Sequence, residues 1–253
     1  RLLAGHCSSV GPRASVLGLY QGTLCIRFLY LGQTLGLGAR GLQHTVMFLQ
    51  ALGALGLIAA ARALSGRRRA GLFALVYLVL LRSIEPGDIL WNPQIAHPGV
   101  ALFTCGWAFV VIGRGCWSSL LAGLGFGLLV AGHVFGLVLL PVLVAGILLG
   151  AERPIRSLLA ALGGAGLVLV LDSREVLVIN ALAMHDGGLA APFGLCVAGA
   201  GVLALVLRQP WRRMAPVARE RAALTGLTLV TVVMGVSVPL ALGQVPSARY
   251  LFM

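Results

Sequence analysis

"GLGFGLLVAGHVFGLVLLPVL", residues 123–143, holds a single ionisable side chain, His133, in an otherwise apolar run. A helical membrane crossing needs about 20 apolar residues at 1.5 Å of rise each. This stretch, extended by its apolar neighbours, is too long for one crossing and suits two short ones that meet near the histidine. Two readings of His133 stand side by side. In one, the imidazole satisfies backbone carbonyls where the two helices break. In the other it contacts a substrate, because an ionisable group at membrane depth is costly and tends to be functional.

The rest of the chain is built the same way. Of 253 residues, 59% are hydrophobic and 10% are charged, with a mean hydropathy of +0.98. A soluble domain carries about 25% charged residues and has no means of hiding so much apolar surface. Lipid must solvate most of it, and in lipid each backbone polar group has to be satisfied within its own segment, which selects helices. Eight apolar segments follow one another, at about 43–62, 70–82, 98–113, 117–132, 134–150, 157–171, 190–207 and 222–241. The expected fold is therefore all-α, a polytopic transmembrane helix bundle of about eight spans.

Charge gives the orientation. The net charge is +12, carried by 19 arginines with no lysine, a usage that fits codon bias in a GC-rich genome. In a soluble protein that charge would point to nucleic acid. Here the arginines form short clusters between apolar runs, so no nucleic-acid partner is expected. One set of loops holds Arg62, Arg67, Arg68, Arg69, Arg114, Arg153, Arg156, Arg208, Arg212, Arg213, Arg219 and Arg221. The alternate loops, around 82–98, 133, 172–189 and 242–249, hold Arg82, Arg174 and Arg249. Positive charge is retained in the cytoplasm, so the first set is expected inside. Glu85, Asp88, Asp172, Glu175 and Asp186 then fall outside, against Glu152 and Glu220 inside. All five histidines also fall outside or at outer ends of spans.

A segment ahead of the first span stands apart. In "SVLGLYQGTLCIRFLYLGQTLGLG" (15–38), Tyr20, Thr23, Arg27, Tyr30 and Thr34 share one helical face. As a full span it would put Arg67–Arg69 on the wrong side. An interfacial helix on the outer leaflet resolves the conflict, with a buried span carrying Arg27 in the bundle as the alternative. The domain plan is a single membrane domain: 1–42 as outer-face segment, 43–241 as eight spans, and 242–253 as outer loop and start of a further span. It is expected to be incomplete at both ends.

Chemistry-bearing residues gather outside. "IEPGDILWNPQIAHPG" (84–99) combines Glu85, Asp88, Asn92 and His97 with three prolines and Trp91. It reads either as a solvated turn stiffened by proline or as a wall of an outer-face site. "DSRE" (172–175) opens a second outer loop and reads as an ion-paired patch. Cys7, Cys25, Cys105, Cys116 and Cys196 are scattered without ligand spacing and suit apolar packing. Gly-rich "LGGAGLVL" (162–169) suits close helix packing. No zinc spacing, Walker loop, GxSxG elbow or dinucleotide fingerprint is present, so no metal and no cofactor is indicated.

The order of these features resembles the integral-membrane glycosyltransferases of the C superfamily, especially bacterial relatives of the family 39 protein mannosyltransferases and the aminoarabinose transferases. The resemblance runs through Gly11–Pro12, the helix 15–38, and the "AARALSGRRRAGLFAL" turn (60–75). It continues through Trp91–Asn92–Pro93, the hairpin from Gly123 to Pro141 around His133, and Arg249–Tyr250–Leu251 in a late outer loop. Two departures stand out. The family's catalytic acidic pair has no counterpart in residues 1–10 and is expected upstream of Arg1, and the family continues for several spans past the "RYL" stretch.

The resemblance implies transfer of a sugar from a polyprenyl-phosphate carrier to a lipid or protein acceptor, at the periplasmic face of a bacterial inner membrane. An upstream carboxylate would act as general base. A cation must balance charge growing on the departing lipid phosphate, and the forked guanidinium of Arg249 fits that role, with Tyr250 adding a hydrogen bond. Arg27 is a candidate for the same phosphate or for lipid headgroups. His133, Asp88 and Asn92 complete the expected substrate-binding set. Two other classes remain: a transporter component, which the near absence of ionisable groups inside the spans disfavours, and a non-catalytic membrane subunit.

Overall fold

The computed structural model describes residues 22–82, 97–113, 115–132, 134–186, 190–223 and 225. All regular structure among the described residues is helical. The elements are α1 (Leu24–Thr34), α2 (Ala39–Arg82), α3 (His97–Val111), α4 (Cys116–Gly132), a 3-10 helix (Val134–Leu139), α5 (Leu140–Gly150), α6 (Pro154–Asp186) and α7 (Ala190–Arg213). A short helix, 216–223, follows α7.

Helix α4 is the centre. It packs between α3 on one side and α6 on the other, α2 covers α3, and α5 carries α7. Glycine sets these distances. A Cβ at Gly123 would overlap the backbone of Ala161, and one at Gly127 would press on Ala165 and Val168. Gly123 and Gly127 are four apart, as are Ala161 and Ala165, so two small-residue faces meet and the backbones of α4 and α6 close together. This is the small-xxx-small packing that lipid-solvated helices use where no hydrophobic effect drives association. On the other side of α4, Gly125 meets Phe103 of α3. Of the glycines in 162–169, Gly164 faces α4, whereas Gly163 and Gly166 meet nothing within 4 Å.

Among the described residues three helices are long and apolar enough to cross a membrane: Ala39–Arg67, Pro154–Asp172 and Ala190–Arg213. Shorter apolar helices, Pro98–Val111, Cys116–Gly132 and Gly136–Gly150, fill the space between them. The division is physical. Short helix α4 buries eleven of its 17 residues, while only 6% of the apolar window of α7 is buried. Leu195, Val202, Leu203 and Val206 of α7 are exposed over 58–73% of their surface. An apolar helix with so little protein cover has lipid as its natural solvent, and the protein is a multi-pass helical membrane protein in class.

Two boundaries differ from the sequence reading. The segments 43–62 and 70–82 remain two helical stretches within α2, but they meet at a kink at Gly66 (φ 79°, ψ 172°) with no longer loop between them, a conformation outside the helical region that glycine tolerates. The expected outer loop 172–189 is instead helical as far as Asp186. "DSRE" contains polar residues but no glycine or proline, and the run 176–184, apolar but for Asn180, follows at once, so nothing stops the helix. At about 1.5 Å per residue the 33 residues of α6 run roughly 50 Å, well beyond a hydrocarbon core of about 30 Å. Ala183 and Met184 of the extension share a small apolar cluster with Leu137 of the 3-10 helix.

Candidate functional site

The turn between α1 and α2 comes from a local code. Gly36 has φ 71°, its N–H donates to Gln33 O (3.0 Å), and the Leu37 N–H donates to Gly32 O (2.8 Å). That pair of bonds is the Schellman arrangement, which needs a left-handed residue and therefore glycine.

The other end of α1 is held from far away. Its N-cap residue, Thr23, makes no side-chain cap of its own, and the first turn has no acidic residue. Asp172 of α6 supplies the cap instead. Its Oδ2 accepts the Thr23 N–H at 3.0 Å, and its Oδ1 lies 3.0 Å from the Thr23 hydroxyl. That hydroxyl also donates to the Asp172 carbonyl at 2.8 Å. Thr23 is fully buried and Asp172 is 7% exposed. A carboxylate at a helix N-terminus answers both the unpaired N–H groups and the positive end of the helix dipole. Gly22 completes the fit, since a Cβ there would overlap Asp172 and the Ala131 carbonyl at the end of α4.

Arg27 lies one turn further along α1. One terminal nitrogen, Nη1, donates to the Leu171 carbonyl at 2.8 Å, and the side chain is exposed. The expected polar stripe therefore divides: Thr23 turns into the protein, while Arg27 and Thr34 are exposed. Leu31 and Leu35 of the same helix are 57% and 67% exposed. His185 and Asp186, at the tip of α6, form an exposed pair at 3.4 Å.

Of the residues singled out for substrate or lipid phosphate, Arg27 is therefore placed at the α1–α6 junction. Asp88, Asn92, His133, Arg249 and Tyr250 lie outside the described residues. Among the described residues no group of three or more His, Cys, Asp or Glu stands in position to hold a metal. Sequence reasoning missed Asp172 as a helix cap, because the bond joins positions 149 residues apart and no local pattern carries it.

At the opposite end of the bundle, Arg208 Nη2 donates to the carbonyls of Ala151 (3.0 Å) and Glu152 (3.4 Å), and Arg212 Nη2 to Ala151 (3.4 Å). Ala151 is the C-cap of α5, so two arginines of the 208–221 cluster cap a helix C-terminus, where cations are favourable.

No family model matches the chain, and neither characterised proteins nor solved structures give a significant match. The class rests on the helical structure of the described residues and the three membrane-length apolar helices among them.

Proposed function

We propose that this chain belongs to a multi-pass glycosyltransferase of the polyprenyl-phosphate-sugar type, embedded in a bacterial inner membrane with its working face outside. The observation that carries the reading is the seating of α1. It is fixed by Thr23 and Arg27 to the 171–172 turn of α6, about 27 Å along that helix from the arginine-bordered α5–α6 connection. Exposed Leu31 and Leu35 suit a helix whose apolar side rests in lipid at the outer surface. The guanidinium of Arg27, with one nitrogen engaged, keeps further N–H donors for a phosphate oxygen.

In this scheme the spans number about eight, α1 lies on the outer leaflet, and the acceptor is deprotonated by a carboxylate upstream of Arg1. Arg249 and Tyr250 neutralise the leaving lipid phosphate, and Asp88, Asn92 and His133 line the same face. One observation favours the alternative, a non-catalytic membrane subunit. Asp172, the buried carboxylate of the junction, is engaged with Thr23 and has a structural duty to perform.

Turnover of the full-length protein with a polyprenyl-phosphate sugar separates the two. Arg249→Ala is expected to abolish transfer and Arg27→Gln to lower it about tenfold, the scale of one charge-assisted hydrogen bond, with expression and elution volume unchanged. Full activity in both variants would remove these arginines from the site. Absence of any transfer by the intact wild-type enzyme favours the subunit.

A further inference from the structure

The arginine-rich end of the bundle contains a groove that the preceding function does not use. It lies where α2 bends, between Leu64, Ser65, Gly66 and Arg67 and the short helix bearing Val217, Glu220 and Arg221, and encloses about 360 Å³. Its floor is apolar, with Leu64 buried to 3% exposure. Arg67 and Arg221 are both exposed, and neither makes an ion pair among the described residues, where the one recorded pair is His185–Asp186. Ser65 gives its hydroxyl proton to the Ala61 carbonyl at 2.6 Å, so its oxygen is left as an acceptor only.

We propose that this groove binds the phosphate-bearing headgroup of an anionic lipid from the adjoining leaflet. Two arginines from different helices line one concavity, and Glu220 is the single acidic residue in its lining. A phosphate monoanion between Arg67 and Arg221 leaves the lining electrically balanced. Guanidinium presents paired N–H groups that match phosphate oxygens, which favours phosphate over a diffuse counter-ion. The groove sits at the end of a membrane-length apolar helix, Ala39–Arg67, and its Leu64 and Val217 offer apolar surface beside the charges. Free phosphate has no use for that surface, whereas a lipid does. Basic pockets between spanning helices on the cytoplasmic side recognise anionic headgroups by the same chemistry. A bound lipid would tie the short helix to the bend of α2, so the site would brace two elements that the chain connects only through the whole bundle. The inference rests on the membrane placement and not on the transferase reading.

Native mass spectrometry of the full chain, released from nanodiscs of mixed phosphatidylglycerol and phosphatidylcholine, tests it. The wild type is expected to retain phosphatidylglycerol selectively. Arg67→Gln with Arg221→Gln is expected to lower that retention about 30-fold, at about fivefold per arginine at the surface. Glu220→Gln should strengthen retention, and this variant decides the matter if the double substitution fails to fold. Exposed Arg153 and Arg156, at the same end but outside the groove, are the controls, and their replacement by Gln should change retention less than about twofold, as for distant screened charges. Equal loss in groove and control variants would reduce the effect to general surface charge and overturn the site. Displacement of phosphatidylglycerol by millimolar inorganic phosphate would overturn the lipid assignment in favour of a free anion, and weaker retention in Glu220→Gln would overturn the charge balance argued here.

Discussion

Thr23 and Asp172 close the N-terminus of α1 onto the middle of α6 through contacts of 3.0, 2.8 and 3.0 Å across 149 residues of sequence. Both residues are buried, so their polar atoms have no recourse to water. The pairing converts what would be two desolvated liabilities into the anchor of a helix that has no cap of its own.

Removing the anchor should loosen α1 before it unfolds the bundle. Asp172→Ala leaves the Thr23 N–H unpaired, while the hydroxyl keeps the backbone carbonyl of residue 172, and should cost about 1–3 kcal/mol. Asp172→Asn keeps an acceptor for the N–H and should cost less. Hydrogen exchange of the amides of α1, with thermal unfolding in detergent alongside, reads the effect. Unchanged protection of residues 24–27 in Asp172→Ala would show that the cap is not what holds the helix.

The glycines of α4 and α6 differ in what they face, which yields a paired test. Gly123→Leu drives a side chain into the Ala161 backbone and should destabilise by about 3 kcal/mol or more, since backbone has no low-energy way to retreat. Gly163→Leu, with nothing within 4 Å, should stay within about 0.5 kcal/mol of wild type or gain slightly from helix propensity. Monodisperse yield and melting temperature are the readouts. Equal effects at the two positions would mean that the α4–α6 contact is placed wrongly.

Sidedness has a direct chemical readout. In a cysteine-free background, His185→Cys should react with a membrane-impermeant maleimide in intact cells, and Arg153→Cys only after permeabilisation. Both positions are exposed, so failure of reagent access is not an explanation for silence. Reaction of both from the same side would reverse or remove the orientation inferred from arginine.

How much of this was legible in the chain can be argued from particular stretches. The stretch 123–143 was legible as parts of two short apolar helices, since α4 ends at Gly132 and α5 begins at Leu140. Helix α1 was legible in kind from its period, and its end at Gly36 follows from glycine's access to positive φ. The bend at Gly66 was read as a loop between two spans, since glycine beside three arginines looks the same whether the helix stops or turns. The helical course of 172–186 was missed because polarity was taken as a stop signal, when only backbone preference stops a helix. Asp88, Asn92, His133, Arg249 and Tyr250 remain readings of the sequence, and Arg27 is the member of that set with a structural partner.

By itself the sequence determined that this is a helical protein for lipid: that property depends on composition and on the local period of apolar residues, and both are carried by neighbours in the chain. The tertiary structure decided which short helix is central, which glycines face a backbone and which face nothing, and that an aspartate of α6 caps α1. Those outcomes depend on which helix faces come together, and that is set by close packing summed over the whole bundle, a quantity no single stretch of residues contains.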